Sequence, residues 1–346
     1  MSVLVHRPIG PFLAYAARAV SVAVLAAGTP AALAQAATAN AATPGAVPAY
    51  PQKPVRLIVP YPPGGPTDIV ARAIAARLPE QIGQPFIIDN RAGASGLIGA
   101  EVVARAAPDG YTLLVNTSIH VITPSLLAKM PFDALRDFTH VTLLSRVPLL
   151  LVVPPGSSAR SVRDLIDIAK ANPGKLNFAS SSTGGGSHLA GELFKSAAGI
   201  VTTHVPYKGS TPALADVMGG HVDFMFDTTL TTLPLVKGGK LRALAISTRE
   251  RAPSAPDLPT VAEAGVAGYD ASNWYALWGP ARMAAALTQR IQVEVAKALA
   301  YPAVRDRMID LGAEPVGNTP AQFEAFAQSE FTKWASVVKH AGLKPE

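Results

Sequence analysis

The residues best suited to bind a polar group form a run of hydroxyl and glycine residues at positions 180–188. The run reads Ser-Ser-Ser-Thr-Gly-Gly-Gly-Ser-His and follows a short strand signal at 177–179. Hydroxyl groups donate hydrogen bonds, and glycines let the backbone approach a ligand closely. We therefore predict a binding loop that opens a helix, with Ser187 as the N-cap. A flexible surface turn uses the same residue types, so the run alone leaves both interpretations open.

A second candidate loop, from Tyr61 to Asp68, joins an apolar strand to a helix. It reads Tyr-Pro-Pro-Gly-Gly-Pro-Thr-Asp. A helix N-terminus carries unpaired N–H groups and the positive end of the helix dipole, so it can hold a carboxylate without a basic side chain. We predict that the amides of Gly64 and Gly65 contact such a group and that Asp68 orients the loop. The alternative is a plain turn between a strand and a helix.

Other chemistries lack the spacing that they require. The loop at 180–188 has no Gly-Lys-Ser/Thr ending, and the glycines at 93–99 do not follow the dinucleotide pattern G-x-G-x-x-G. The 7 histidines show no metal-ligand spacing and cysteine is absent, so we predict neither a metal nor a cofactor. The neighbouring Ser187 and His188 raise the alternative of an exported esterase. The G-x-S-x-G turn that would present such a serine is missing, which weakens this alternative.

Strand and helix signals alternate along the chain, which predicts an α/β fold with mainly parallel sheets flanked by helices. Right-handed crossovers place the loops that follow the strands on one edge of a sheet, where open α/β sheets bind ligands. In the first half these loops are residues 61–68, 90–95 and 116–120, and the last contains Thr117 and Ser118.

A chain of 346 residues is long enough for two lobes, and two strand–helix series follow each other. We assign residues 55–150 and 249–346 to lobe 1 and residues 151–248 to lobe 2. Extended segments at 138–153 and 241–247 are predicted to cross between the lobes. Each lobe then contributes one glycine-rich loop to a cleft, and Asp227 ends a strand of lobe 2. Trp274 fits either a buried core or a wall of the cleft.

The N-terminus has the pattern of a secretory signal peptide. Basic residues flank an apolar run at 19–27, and residues 32–34 (Ala-Leu-Ala) have the small-x-small pattern of a cleavage site. We predict a signal peptide at 1–34, a flexible lead-in at 35–54, and an exported mature protein that is not embedded in the membrane. A signal anchor is the alternative. The net charge of +6 is spread without a dense basic run, so we predict no nucleic-acid partner.

Six stretches of the chain form one set. They are Pro-Tyr-Pro-Pro-Gly-Gly-Pro-Thr-Asp (60–68), Asn-Arg-Ala-Gly-Ala-Ser-Gly-Leu-Ile-Gly-Ala-Glu (90–101), Pro-Asp-Gly-Tyr-Thr-Leu-Leu (108–114), His-Leu-Ala-Gly-Glu-Leu-Phe (188–194), His-Val-Pro-Tyr-Lys-Gly (204–209) and Leu-Pro-Thr-Val-Ala-Glu-Ala-Gly (258–265). Together they resemble the solute-binding receptors of tripartite tricarboxylate transporters, the Bug-type receptors. The resemblance runs from about residue 50 to residue 346. It implies a two-lobed, type II-like periplasmic binding protein with a ligand cleft between the lobes.

The resemblance also implies a role. Such a receptor closes on a small mono- or dicarboxylate and delivers it to the membrane subunits of its transporter. It carries out no chemistry, so we expect that the protein is not an enzyme. We also expect it to be a monomer. A sensor that feeds a membrane signalling protein is an alternative that the sequence leaves open. We expect selectivity to begin at the Pro62–Pro63 pair. The predicted ligand-binding residues are Tyr61, Pro63, Gly64, Gly65, Pro66, Thr67, Asp68, Thr117, Ser118, Ser181, Ser182, Thr183, Gly184, Gly186, Ser187, His188 and Asp227.

Overall fold

The computed structural model describes residues 50–340, so the predicted signal peptide and the first part of the lead-in lie outside the described residues. In chain order the elements are β1 (Val55–Val59), α1 (Pro66–Ile82), β2 (Phe86–Asn90), α2 (Leu97–Ala104), β3 (Thr112–Thr117), α3 (Ile119–Ile122), β4 (Phe138–Val153), α4 (Val162–Ala171), β5 (Asn177–Ser180), α5 (Gly186–Ala198), β6 (Thr203–Pro206), α6 (Ser210–Met218), β7 (Phe224–Thr228), α7 (Thr229–Lys237), β8 (Arg242–Ile246), β9 (Ser272–Pro280), α8 (Ala285–Ala300), α9 (Pro302–Asp310), β10 (Glu314–Pro315) and α10 (Pro320–His340). Short 3-10 helices span Ala94–Gly96 and Thr123–Ser125. Within 50–340, no helix combines the length and the apolar character needed to cross a membrane.

The strands form one hydrogen-bonded path in the order β2-β1-β3-β9-β4-β7-β5-β6, with β8 and β10 attached to β4. β1 is parallel to β2 and β3, and β5 is parallel to β6 and β7. β4 and β9 are antiparallel to each other and join these two parallel groups. The predicted α/β fold with two mainly parallel sheets is therefore confirmed, and antiparallel strands make the connection.

The long strand β4 passes from one sheet to the other. Its residues 138–148 pair with β9, and from Leu149 onward its partners are β7 and β8. The partner changes next to Pro148, which has no N–H for a sheet ladder and so marks a natural interruption. β4 therefore connects the two lobes directly, and a second connection enters lobe 1 at the start of β9.

Both sheets are buried on both faces. In β1, Leu57 belongs to one apolar cluster and Ile58 to another, and in β4 Leu151 and Val152 are divided in the same way. Successive residues of a strand point to opposite faces, so each sheet needs a helical layer on either side. Trp274 is buried in one of these clusters and donates its Nε1–H to Glu330 at 3.0 Å, which makes it a core residue.

The chain around residue 248, where we predict the return to lobe 1, pairs and packs with lobe 2. The segment that we read as the return, 241–247, contains β8, which pairs with the lobe 2 part of β4. Val261, Val266 and Tyr269 then pack into the apolar cluster of lobe 2. The packing thus favours a return through β9, which begins at Ser272 and pairs with β4 along lobe 1. A continuous apolar strand carries no local signal of which sheet it joins, so tertiary pairing decides the point.

Candidate functional site

The two predicted binding loops share one backbone design. Helix α1 begins after Gly65 and helix α5 after Gly185, and both N-cap glycines have φ −76° and ψ 168°. The glycine before each cap, Gly64 or Gly184, has a φ of 78° or 75°, in the left-handed region that favours glycine. The two lobes therefore present matching helix N-termini, although the loop sequences differ.

Asp68 holds the first loop in place. Its buried carboxylate accepts hydrogen bonds from the Gly64 N–H at 2.9 Å, from Arg72 at 2.7 and 3.0 Å, and from Asn90 at 3.1 Å. Asn90 also donates to the carbonyl of Tyr61 at 3.0 Å. Burial alone would raise the pKa of Asp68, but the bonds from Arg72, Gly64 and Asn90 hold it below its ordinary value. Asp68 is thus an ionised anchor, and the Gly64 amide that we expected to contact a solute is occupied by it.

His188 takes the equivalent place in the second loop. Its Nδ1 accepts the Gly184 N–H at 3.0 Å, and its ring stacks on His204 with 3.9 Å between centroids. Ser187 is not the helix cap, because its hydroxyl donates to the carbonyl of Phe226 and Gly185 is the N-cap residue. Since the Ser187 hydroxyl and His188 Nδ1 bond to other groups, these neighbours do not form the pair that an esterase requires.

A small cavity of about 30 Å³ lies between the two loops, with room for about two water molecules. Most of the predicted residues line it. They are Tyr61, Gly65, Pro66, Thr67, Thr117, Ser181, Ser182, Gly186, Ser187 and Asp227. The remaining predicted residues, Pro63, Gly64, Asp68, Ser118, Thr183, Gly184 and His188, are not part of its lining. Among these, Asp68 and His188 hold the loops in shape, because they accept hydrogen bonds from the N–H groups of Gly64 and Gly184.

Pro62 and Gly185, which belong to the two predicted loops, also line the cavity. The lining residues outside the predicted loops and sites are Leu149, Gly209, Ser210, Thr211, Thr228 and Asn273. The stretch Gly209-Ser210-Thr211 follows β6 and opens α6, so it repeats the strand–glycine–helix pattern that identified the other loops, and that signal could have found it. Asn273 had no such signal, because it lies inside β9, far along the chain from every loop.

Asn273 ties the lobe 1 edge of the cavity together. Its Oδ1 accepts hydrogen bonds from the hydroxyls of Thr117 and Ser118, each at 2.7 Å, and from the Trp274 N–H at 2.9 Å. Its Nδ2 donates to the Tyr275 hydroxyl at 3.2 Å. Asn273, at the start of β9, thus fixes the hydroxyls of Thr117 and Ser118 at this edge of the cavity.

The electrostatic character of the cavity comes from helix N-termini. The N-cap residues of α1, α5, α6 and α7 (Gly65, Gly185, Gly209 and Thr228) all line it. Each such terminus carries a partial positive charge and free backbone donors. None of the described lining residues is Lys, Arg or His. The arrangement therefore suits an anion bound by backbone donors and hydroxyls.

One carboxyl group, Asp227, faces this anion-binding cavity. It is buried and accepts hydrogen bonds from the hydroxyls of Ser210 at 2.9 Å and Thr231 at 2.8 Å. Burial raises the pKa of Asp227 to about 6, against the lowering effect of these hydrogen bonds. Asp227 therefore changes its protonation state close to neutral pH, in contrast to Asp68.

The lobes are in contact across the cavity, so the structure is a closed form. The hydroxyl of Thr211 donates to the carbonyl of Pro63 at 3.5 Å. A Cβ on Gly209 would lie 2.9 Å from the ring Cδ of Pro62. Closure thus depends on the absence of a side chain at Gly209.

We expect Gly209→Ala to lower solute affinity about ten-fold, because the added methyl group meets the rigid Pro62 ring only when the lobes close. Gly209 also has a φ of 122°, so strain from the positive φ must be controlled for. Gly265→Ala provides the control, since Gly265 has a φ of 109° and open space around it. Calorimetric titration and thermal unfolding of both variants test the prediction. Equal solute affinities in the two variants would refute the steric role of Gly209.

Comparisons with known proteins agree with this geometry. Residues 70–343 match the sequence profile of the family described as tripartite tricarboxylate transporter family receptor. The periplasmic binding protein BugD is 33% identical with a TM-score of 0.83, over 86% of this chain and 100% of BugD. R. palustris Rpa4515, solved with adipate, is 39% identical with a TM-score of 0.83, over 86% of this chain and 100% of that one. MatC from Rhodopseudomonas palustris, solved with bound malate, is 34% identical with a TM-score of 0.79, over 84% and 100%.

These proteins share the fold of this chain over 84–86% of its length. The profile match covers most of the chain, including α5, α6, α7 and the part of α1 from residue 70 onward. The neighbours are solute-binding proteins and not enzymes, as the sequence predicted. The chain belongs to the family of tripartite tricarboxylate transporter receptors, the Bug-type periplasmic solute-binding proteins.

Proposed function

We propose that this chain is a periplasmic receptor that captures a small mono- or dicarboxylate between its lobes and delivers it to a tripartite tricarboxylate-type membrane transporter. The observation that carries the proposal is the convergence of four helix N-termini on a cavity whose described lining has no basic side chain. Adipate and malate in two similar structures support the choice of carboxylates.

The proposed cycle follows from the size of the cavity and from the two connections between the lobes. A cavity of about 30 Å³ has room for one carboxylate group but is too small to admit a whole solute. The lobes must therefore separate about β4 and β9 before the solute enters. Closure then removes water and brings the helix N-termini of both lobes onto the carboxylate, which strengthens their attraction for it. The closed form is what the membrane subunits would recognise.

Isothermal titration of the mature chain against a carboxylate panel tests the proposed binding. The panel contains adipate, malate, citrate and hexanoate, and the uncharged amide adipamide is the control. We expect at least one carboxylate to bind and adipamide not to bind, because the cavity offers donors that favour a negative charge. A folded protein that binds none of the acids, or that binds adipamide equally well, would refute the proposal.

Delivery and location need separate measurements. N-terminal sequencing of protein from the periplasmic fraction is expected to begin at Gln35, after cleavage at Ala34. Uptake of the bound acid by cells that express the membrane subunits should require this receptor. Uptake that is unchanged without the receptor would favour the alternative of a sensor that feeds a signalling protein.

A further inference from the structure

A second chamber adjoins the carboxylate cavity. It has a volume of about 270 Å³ and shares Tyr61, Pro62, Ser181 and Ser182 with the cavity as lining residues. Because these four residues line both spaces, the chamber borders the cavity directly. We call it the distal chamber.

The walls of the distal chamber are mostly apolar. They come from the first loop (Pro60, Tyr61 and Pro62), the segment 92–96, and the end of β6 at Pro206 and Tyr207. Proline rings and tyrosine faces pack well against methylene groups and other flat apolar surfaces. The chamber therefore suits a solute with a hydrocarbon body.

Two features of these walls are typical of ligand sites. The Tyr61 hydroxyl is buried and has no hydrogen-bond partner among the described residues. In the segment 92–96, Ala94 and Ser95 have φ values of 46° and 52°, a backbone conformation that residues other than glycine rarely adopt. Strained backbone and unpaired buried polar groups cluster at ligand sites, where a ligand can compensate for them.

Lys208 is the single charged residue among the described residues that line the distal chamber. Its side chain is exposed, and it makes no hydrogen bond or ion pair within the described part of the chain. The other acids and bases of the neighbourhood are already engaged, since Arg91 pairs with Asp89 and Asp216 accepts from Tyr207. An ammonium at the rim of an apolar chamber attracts an anionic group at the far end of a solute.

We propose that the distal chamber binds the second end of the solute and that Lys208 selects acids with a second anionic group over monocarboxylates of the same length. The inference rests on the proposed function, because it assumes that the first carboxylate occupies the cavity between the loops. It adds a residue that determines specificity, and it narrows the solute class to dicarboxylates whose chain spans from the cavity to Lys208.

Paired acids of equal chain length test this proposal. The pairs are succinate with butyrate, glutarate with pentanoate, adipate with hexanoate, and pimelate with heptanoate, each titrated calorimetrically. In the wild-type protein we expect the dicarboxylate to bind more tightly, and most clearly at the chain length that reaches Lys208. In Lys208→Gln the preference should fall about two- to five-fold while monocarboxylate affinity stays the same. Lys208→Glu should reduce dicarboxylate binding further.

Lys240→Gln is the matched control, because Lys240 is an exposed lysine of lobe 2 that lines neither the cavity nor the distal chamber. It removes the same charge and should leave the preference intact. If the wild-type protein binds monocarboxylates as tightly as dicarboxylates, or if Lys208→Gln keeps the wild-type preference, the role of Lys208 is refuted and the receptor proposal stands. If no acid binds the wild-type protein, both proposals fail.

Discussion

Replacing Asp68 with alanine is expected to weaken solute binding about ten-fold to a hundred-fold. Asp68 accepts hydrogen bonds from Gly64 in the first loop, from Arg72 on α1 and from Asn90 at the end of β2. Its removal therefore breaks the contacts that tie the first loop to these two elements. A freed loop must be ordered again whenever a solute binds, and hydrogen bonds to a charged group contribute about 1.5–3 kcal/mol each. Calorimetric titration with a carboxylate that binds the wild-type protein measures the loss.

Two further variants separate the loop anchor from the ion pair. Arg72→Met removes the partly exposed cation and leaves the bond from Gly64 to Asp68, so we expect a change of only about two-fold. Asp68→Asn keeps one oxygen that can accept the Gly64 N–H, and we expect it to recover most of the affinity. Wild-type affinity in a folded Asp68→Ala protein would show that Asp68 does not position the site.

The stability of the protein is expected to depend on the protonation of Asp227. Burial raises its pKa to about 6 in the folded protein, from an ordinary value of 3.8. The folded state therefore holds the proton more tightly than the unfolded chain. The stability contribution of the protonated group is fully present below about pH 4, decreases as the pH rises to about 6, and stays absent above it.

Asp227→Asn removes this dependence. Above about pH 6 the variant should be more stable than the wild-type protein by up to about 3 kcal/mol, and the difference should vanish near pH 4. Denaturant unfolding of both proteins across this range measures the effect. A stability difference that does not change with pH would mean that Asp227 keeps an ordinary pKa.

The same group is expected to link solute binding to protons. Asp227 lines the cavity, so its ionised form repels a bound carboxylate and its neutral form does not. Affinity for the acid should therefore rise as the pH falls from about 7.5 to about 5.5, and this rise should be smaller in Asp227→Asn. The variant also corrects for protonation of the solute, which affects both proteins equally. Parallel pH profiles for the two proteins would contradict the linkage.

The order of strands and helices could be predicted from local sequence. β1, α1 and the glycine turn between them follow from an apolar run, a Pro-Pro-Gly-Gly stretch and a helical spacing, all within residues 57–78. Helix α4 begins at a capping box in which Ser161 and Asp164 bond reciprocally with each other's backbone N–H groups, a signal contained in four residues. Such features depend on neighbours in the chain, so no tertiary information is needed.

The partners of the crossing strands could not be predicted in this way. β8 and β9 are both apolar strands in the second half of the chain, yet β8 pairs with lobe 2 and β9 with lobe 1. A strand buried on both faces carries no periodic pattern that distinguishes one sheet from another. The local pattern therefore predicts the return to lobe 1 at β8. Tyr269, which follows β8, still packs in the apolar cluster of lobe 2, and this favours a return at β9.

The sequence alone thus determined the strand–glycine–helix loops, the hydroxyl donors at 180–188 and the family to which the chain belongs. Only the tertiary structure decided which donors remain for a solute. It assigns the Gly64 amide to Asp68 and the Ser187 hydroxyl to Phe226, and it brings Asn273 and the start of α6 to the same cavity. The reason is physical: the sequence specifies which groups can donate, but a hydrogen bond exists only where folding brings an acceptor within reach.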